Sequence, residues 1–190
     1  MTLAKAYGEL ARLPGADPAW ARRTRAMARA FTNALRLDRT RDAYVWTYEL
    51  PRGLMYRGWG EAADVSDHNP VQSPRQGVED LKHASLDFEI AFFLADRGYL
   101  KPRDARRFAH TFTRVMARGS ARWARVAAKV DGSGPASRNP LAMLFLGAAR
   151  GDPAVYTHVR SMVQHRQASL PAIGAYLHGL AWLARAARGW

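Results

Sequence analysis

The fold is decided by residues 77–98, GVEDLKHASLDFEIAFFLADRG, which have no proline or glycine between their two terminal glycines. Such a run, closed by Gly98, predicts one long helix. Its second half is apolar nearly all round: Leu86, Phe88, Ile90, Ala91, Phe92, Phe93 and Leu94. A helix of this kind is buried on most sides, so we expect the rest of the chain to pack around it.

The first half of the same stretch is polar and titratable. Glu79 and Asp87 each lie four residues from His83, so the three side chains share a helix face, and Asp80 lies beside them. His83 is the best candidate for a general base, which Glu79 or Asp87 would orient. The alternative is structural: His83 bonds to carboxylates of its own helix, and Glu79 and Asp80 only complement the helix dipole.

The composition bounds the class of protein. A length of 190 residues predicts a single domain over residues 1–190, and the 48% apolar content is ample for its core. The absence of cysteine excludes disulfides, cysteine metal sites and thiol catalysis. No apolar run reaches the roughly 18 residues of a membrane helix, and the N-terminus lacks a signal-peptide core. We expect a soluble protein without a membrane partner, cytoplasmic unless a leader was removed.

The net charge of +13 is unevenly placed. Residues 1–100 hold 14 Lys and Arg against 13 Asp and Glu (+1), whereas residues 101–190 hold 15 against 3 (+12). The basic half could attract an anionic polymer, either a uronic-acid glycan or a nucleic acid. The alternative is that the arginines only solvate several helix faces.

Apolar periodicity and helix-boundary signals predict about eight helices, short connectors and almost no strand. The predicted helices cover residues 2–13, 17–37, 77–98, 101–118, 120–130 and 140–149, with two more opening at Asp152-Pro153 and at Ser169. Alternation of Tyr44, Trp46 and Tyr48 predicts a short extended segment instead. The predicted fold is all-α, built from consecutive antiparallel helical hairpins.

Residues 51–76 are predicted to form a long aromatic loop, because proline and glycine interrupt them throughout. Loops of this length often carry function. The side chains suited to stacking on and hydrogen-bonding to a sugar or base are Tyr56, Arg57, Trp59, His68 and Asn69. The alternative is an Ω-loop that packs its own aromatic residues.

A second candidate surface lies on the helix predicted over residues 101–118. Its basic side chains follow a 4-3-4-4 spacing and form one stripe: Arg103, Arg107, His110, Arg114 and Arg118. This stripe is interpreted either as a solvated face or as the lining of an anionic groove.

The order of motifs resembles that of (α/α)-toroid carbohydrate-active proteins, with polysaccharide lyases and uronyl epimerases the nearest in pattern. The motifs, between residues 40 and 155, are Trp46-x-Tyr48, Arg57-Gly-Trp59-Gly, Glu79-Asp-x-x-His83-x-x-x-Asp87-x-Glu89, Val130-Asp-Gly-Ser-Gly134 and Asp152-Pro153. The resemblance implies helical hairpins around a cleft. Because the chain has fewer helices than a closed ring needs, it implies an open or incomplete toroid, or one that a homo-oligomer completes.

A lyase of this kind needs a base, an acid and a partner for the substrate carboxylate. The candidates are His83 as base, Tyr48 as acid and Arg107 as carboxylate partner. The substrate-binding candidates are Trp46, Arg57, Trp59, His68, Asn69, Glu79, Asp87, His110 and Arg114. Two alternatives stay open: a two-carboxylate glycosidase using the acids of residues 79–89, and a non-catalytic basic module that binds nucleic acid or an acidic protein partner.

A metal site is not expected from the sequence. His68, His83 and His110 are widely separated, and the HExxH pattern is absent. Glu79 and His83 alone offer too few ligands. We therefore predict no metal and no cofactor, and the absence of GxSxG gives no support to a serine nucleophile.

Overall fold

The computed structural model describes residues 2–60, 62, 71–164, 181 and 184. It begins with two helices, α1 (Thr2–Leu10) and α2 (Pro18–Ala34), which pack against each other. Helix α2 starts at Pro18 because the Asp17 carboxylate accepts the Ala19 N–H at 2.7 Å and proline already has a helical φ.

A small antiparallel ribbon follows, formed by β1 (Arg36–Asp38) and β2 (Ala43–Val45). All three residues of β2 are buried, and Tyr44 bonds through its backbone to the Thr111 side chain. The predicted extended segment is thus confirmed at its start. A one-turn helix, α3 (Leu54–Arg57), lies within the region predicted as loop.

The central helix α4 (Leu81–Asp96) starts four residues later than predicted. Asp80 is its N-cap, and its carboxylate accepts the N–H groups of Lys82 and His83 at 2.8 and 3.0 Å. Residues 78–80 are extended, because their backbone bonds to residues 46–47 and to residues 128–130 instead. Glu79 therefore precedes the helix and does not lie in its first turn.

The second half of the chain continues from α5 (Pro102–His110) into a π-helical segment, Thr111–Met116. A second ribbon pairs β3 (Ala117–Arg118) with β4 (Arg125–Val126), and a 3₁₀ turn, Ala121–Trp123, joins them. A longer 3₁₀-helix, Pro140–Arg150, and α6 (Ala154–Gln164) complete the described elements, both where the sequence predicts helix.

Helix α4 lies at the centre of the core, as predicted. It packs against the 140–150 helix, α1 and α5. The Phe88 ring is 1% exposed and contacts Phe145, Phe108 and Trp46 with ring centroids 4.5, 5.8 and 6.0 Å apart. These aromatic contacts join four parts of the chain into one core.

The prediction of an all-α fold is wrong, because the described residues include two small antiparallel sheets. The predicted open or incomplete toroid is wrong as well, because the two small sheets interrupt the succession of helical hairpins and the described elements form no closed toroid. The helix predicted over 120–130 is replaced by the turn and strand around Trp123. There Gly119 has φ 74°, and a Cβ on it would lie 2.3 Å from the Trp123 carbonyl oxygen.

Some predicted features lie outside the described residues: His68 and Asn69 of the loop, and the apolar residues of the helix predicted from Ser169. Within the described part, every helix is too short or too polar to cross a lipid bilayer.

Candidate functional site

The candidate site is built on the start of α4, where Asp80 holds His83. One oxygen of Asp80 caps the helix, and its other oxygen lies 2.9 Å from Nδ1 of His83. With the proton on Nδ1 donated to Asp80, Nε2 carries the lone pair and can accept a proton. A single carboxylate thus both starts the helix and orients the imidazole.

Tyr48 reaches this imidazole through backbone pairing. The Tyr48 N–H donates to the Gly77 carbonyl at 3.0 Å, and Thr47 bridges Val78. The Tyr48 and His83 rings then meet edge to face, with centroids 4.7 Å apart. Tyr48 is 45% exposed and the His83 side chain 38%, so both rings are open to a ligand.

Glu79 lies beneath the imidazole and is only 3% exposed. Its Oε1 accepts the Asp80 N–H at 2.9 Å and lies 4.0 Å from His83 Nδ1. Burial, together with the nearby charges of Asp87 and Asp80, raises the pKa of Glu79 to about 7, although the hydrogen bond from the Asp80 N–H and the charge of His83 act in the opposite direction. Glu79 is therefore protonated in mildly acidic solution and loses its proton as pH rises through about 7.

Asp87 is the second carboxyl with a raised pKa. Burial raises its pKa to about 6, although the indole N–H of Trp46 donates to its Oδ2 at 3.0 Å. Asp80 behaves in the opposite way: burial opposes ionisation, but hydrogen bonds from His83 and Lys82 hold its pKa below the ordinary value. The site thus combines one ionised carboxylate with two carboxyls that are neutral in mildly acidic solution.

A cavity of about 350 Å³ opens beside Tyr48 and Asp87, and its lining does not include His83 or Glu79. Tyr48, Trp46 and Asp87 line it on one side, and apolar residues of α1 and α2 line the other. Its volume falls within the range of small-ligand pockets. A larger cleft, of about 460 Å³, lies between α1, α4 and the 140–150 helix and is bordered by Lys5, Phe92 and Arg97, away from His83.

The structure thus brings together five of the residues predicted from the sequence: Trp46, Tyr48, Glu79, His83 and Asp87. Trp46 has a different role from the stacking surface expected of it, because it is 5% exposed. Its ring packs against Phe31, Phe88 and Phe108. Its contact with the site is the hydrogen bond that its indole N–H donates to Asp87.

Arg107 and His110 lie in a second cluster. Arg107 Nε donates to Asp42 at 2.7 Å, and its Nη1 lies 3.5 Å from the Tyr44 hydroxyl. His110 is 5% exposed, and its Nδ1 lies 2.9 Å from the Asp42 carbonyl oxygen. These bonds tie α5 to the first ribbon, so the predicted basic stripe is interrupted on this face. None of the Arg107 bonds within the described residues reaches His83.

The remaining predicted residues are more peripheral. Arg114 is exposed and donates to the Arg41 carbonyl at 3.1 Å. Arg57 is exposed and donates to the Arg52 carbonyl at 2.9 Å. Trp59 is half-buried, and its backbone pairs with Gln72.

Three side chains could hold a metal ion. Glu79, Asp80 and His83 each place one ligand atom within 4.8 Å of the others. A mixed oxygen and imidazole set is a donor set that zinc and other transition metals accept. The third ligand, Asp80, is the one that sequence reasoning left out.

Sequence reasoning missed two residues of functional interest. Asp80 was considered as a helix-dipole partner and as one of several glycosidase carboxylates but not as the partner of His83, although its spacing of three residues from His83 is a usable signal. Trp123 was placed in a short helix, yet it is 63% exposed. Gly119 followed closely by Trp123 is the pattern that could have indicated a turn.

Comparisons of the chain with protein-family models, curated proteins and solved structures found no match in any of the three. The resemblance to carbohydrate-active proteins therefore stays a prediction. What the chain does has to be argued from the geometry of the Tyr48–His83 site.

Proposed function

We propose that the chain binds a uronic-acid glycan at the Tyr48–His83 site and cleaves it by β-elimination. The observation that carries this proposal is the pair of half-exposed rings, 4.7 Å apart at their centroids, of which one is oriented by Asp80. A base and an acid side by side, next to a cavity, are what an elimination requires.

In the proposed reaction, Nε2 of His83 accepts the proton from C5 of the uronate. The electron pair left behind forms the C4–C5 double bond as the bond from C4 to the glycosidic oxygen breaks. The Tyr48 hydroxyl gives its proton to that leaving oxygen. Asp80 stabilises the imidazolium that forms on His83.

The substrate carboxylate must be accommodated without Arg107, which is bonded to Asp42. Glu79 and Asp87 offer another means, because their pKa values are raised to about 7 and about 6. A protonated carboxyl can donate a hydrogen bond to the uronate carboxylate, whereas an ionised one repels it. Of the two, Asp87 is the better candidate for donating this hydrogen bond, since its side chain lines the cavity.

The proposal has a pH signature. As pH rises through about 6 to 7, Asp87 and Glu79 ionise. Their negative charges then repel the carboxylate of an anionic sugar. We expect formation of unsaturated product from a polyuronate to fall over this range. In Asp87→Asn, where the amide remains a donor, the fall should begin at higher pH.

The matched test of the base is His83→Gln, which keeps a polar side chain. We expect product formation to drop by about 100-fold or more, with the melting temperature close to that of the unchanged protein. The proposal is contradicted if no polyuronate yields unsaturated ends, or if His83→Gln keeps full activity.

A further inference from the structure

A second surface surrounds Trp123, whose ring stands out from the protein on the turn between β3 and β4. The guanidinium of Arg138 lies 5.8 Å from the centre of this ring, and its Nη2 donates to the Arg122 carbonyl at 2.7 Å. Arg122 and Arg125 are exposed on either side. We call these four residues, Arg122, Trp123, Arg125 and Arg138, the Trp123 surface.

Two arginines of this surface, Arg122 and Arg125, carry positive charge that no described carboxylate balances. Arg125 lies directly opposite Arg118 in the ribbon, an arrangement of like charges that destabilises a strand pair. The Arg118 guanidinium donates hydrogen bonds to backbone carbonyls, including that of Gly132. Arg122 and Arg125 form no ion pair with a described carboxylate. Such a surface favours an anionic ligand.

The acidic residues of residues 101–190 accept hydrogen bonds from groups outside the Trp123 surface. Asp104 accepts from the Tyr44 hydroxyl, and Asp131 accepts from the Ser133 N–H. Asp152 accepts from the Ala154 N–H and from the Thr113 hydroxyl. None of these contacts places a carboxylate on the Trp123 surface.

The turn that presents Trp123 is firmly built. The Trp123 N–H donates to the Ser120 carbonyl at 2.6 Å, and Gly119 supplies the left-handed φ of 74°. On the far side, Val126 exchanges both backbone bonds with Ser137, which fixes the strand that leads to Arg138. The exposed ring is therefore held in place for contact.

The polypeptide segment from Trp123 to Lys129 connects this surface to the candidate site. The Ala128 carbonyl accepts the Leu81 N–H at 2.8 Å, and Lys129 bridges Asp80, the residue that orients His83. From Trp123 to Lys129 the path is at most about 20 Å at the rise of an extended chain. A polymer a few sugars long could span such a distance.

We propose that the Trp123 surface binds an acidic polysaccharide and holds the chain on which the His83 site acts. The identity of the polymer rests on the proposed function. The open face of Trp123 offers an apolar platform for a sugar ring, and arginines bind carboxylates by paired hydrogen bonds. An uncharged polysaccharide lacks those carboxylates and should bind far more weakly.

The test measures affinity for polygalacturonate in the full-length His83→Gln background, which leaves the polymer intact. Trp123→Ala and the pair Arg122→Ala/Arg125→Ala should each weaken binding by about tenfold. The control pair Arg22→Ala/Arg29→Ala removes the same charge from exposed positions of α2 and should stay within about twofold, since neither arginine belongs to the Trp123 surface or lines the cavity beside Tyr48.

Equal losses in the two arginine pairs would show that only net charge matters and would overturn the proposal. Tighter, Trp123-dependent binding of oligo(dT) than of polygalacturonate would overturn it in favour of a nucleic-acid surface. Catalysis is read separately, from the unchanged protein. If that protein forms no unsaturated ends while polygalacturonate binding still depends on Trp123, the lyase proposal fails and the surface stands.

Discussion

Glu79 is a buried carboxyl whose described polar contacts are the Asp80 amide and His83, with no lysine or arginine among them. In a chain with 29 lysines and arginines, that placement is a specific feature of the fold. Burial favours the neutral form, so the state of Glu79 depends on pH in the physiological range.

The stability of the protein should therefore depend on the ionisation of Glu79. Its pKa rises from 4.5 to about 7 on folding, so the folded state retains a proton that the unfolded chain releases between these values. This contribution is complete below about pH 4.5 and is lost as pH rises through 7. Glu79→Gln cannot ionise and should be more stable than the unchanged protein at pH 8, by about 1–3 kcal/mol.

Thermal melts followed by circular dichroism at pH 4 and pH 8 would check this, since each kcal/mol corresponds to about 2–4 °C for a chain of this size. Glu49→Gln, the same substitution at a half-buried position, is the control for the loss of one carboxylate. An equal shift of the Glu79→Gln melting temperature at both pH values would contradict the account.

At this scale the sequence predicted the right group of side chains for a partly wrong reason. The spacing of Glu79, His83 and Asp87 assumed a helix from residue 77, whereas Glu79 is extended and still approaches His83. The approach of Tyr48 depends on backbone pairing between residues 46–48 and 77–79. Pairing between segments so far apart leaves no periodic signal in either one.

The start of α4 is the element in which fold and proposed chemistry meet, because Asp80 has two roles. Serine is also a good N-cap but has no carboxylate to hold the imidazole. Asp80→Ser should keep the free energy of unfolding within about 0.5 kcal/mol while lowering product formation at least tenfold. Asp80→Ala should lower both, with a stability cost of about 1 kcal/mol.

Urea unfolding and product formation, measured on the same two variants, separate these roles. Full activity in Asp80→Ser would show that the carboxylate does not orient His83 for catalysis. Equal stability of the serine and alanine variants would show that the cap contributes little.

The turn between β3 and β4 is the second element with a clear dependence on one residue. Gly119→Ala would require a side chain at φ 74° and within 2.3 Å of a backbone oxygen. We expect destabilisation by about 1–3 kcal/mol, together with weaker polygalacturonate binding. Gly60→Ala is the control, because a Cβ there meets no atom of the described residues within 4 Å. Urea unfolding of both variants is the measurement, and equal stability would contradict the role given to Gly119.

Long helices were predictable and short strands were not. The central helix, α2 and α6 carry sustained apolar periods and boundary residues, so the sequence located them to within a few residues. The start of α5 was also located, whereas the segment after His110 is π-helical. The strands around Trp123 are two residues long, too short to show alternation. The spacing of three and four residues between Trp123, Val126 and Val130 therefore matched that of one helix face, although the segment is not a helix.

At the scale of the whole molecule, the same limitation explains why the toroid was wrong. The open toroid was expected from the order of motifs between residues 40 and 155, and the helices assigned to it included residues 120–130, which form a turn and a strand. The charge asymmetry survives this correction, because it depends on composition alone: +1 in residues 1–100 and +12 in residues 101–190. In the structure part of that excess lies on the Trp123 surface.

The central claim is that Tyr48 and His83 together eliminate across a uronate linkage. It is tested most directly by the rate at which unsaturated sugar ends form from polygalacturonate at pH 6, with Tyr48→Phe compared against Tyr99→Phe. The account predicts product from the unchanged protein, a loss of about 100-fold in Tyr48→Phe and no loss in Tyr99→Phe. The absence of unsaturated ends, or equal rates in the two tyrosine variants, would contradict it.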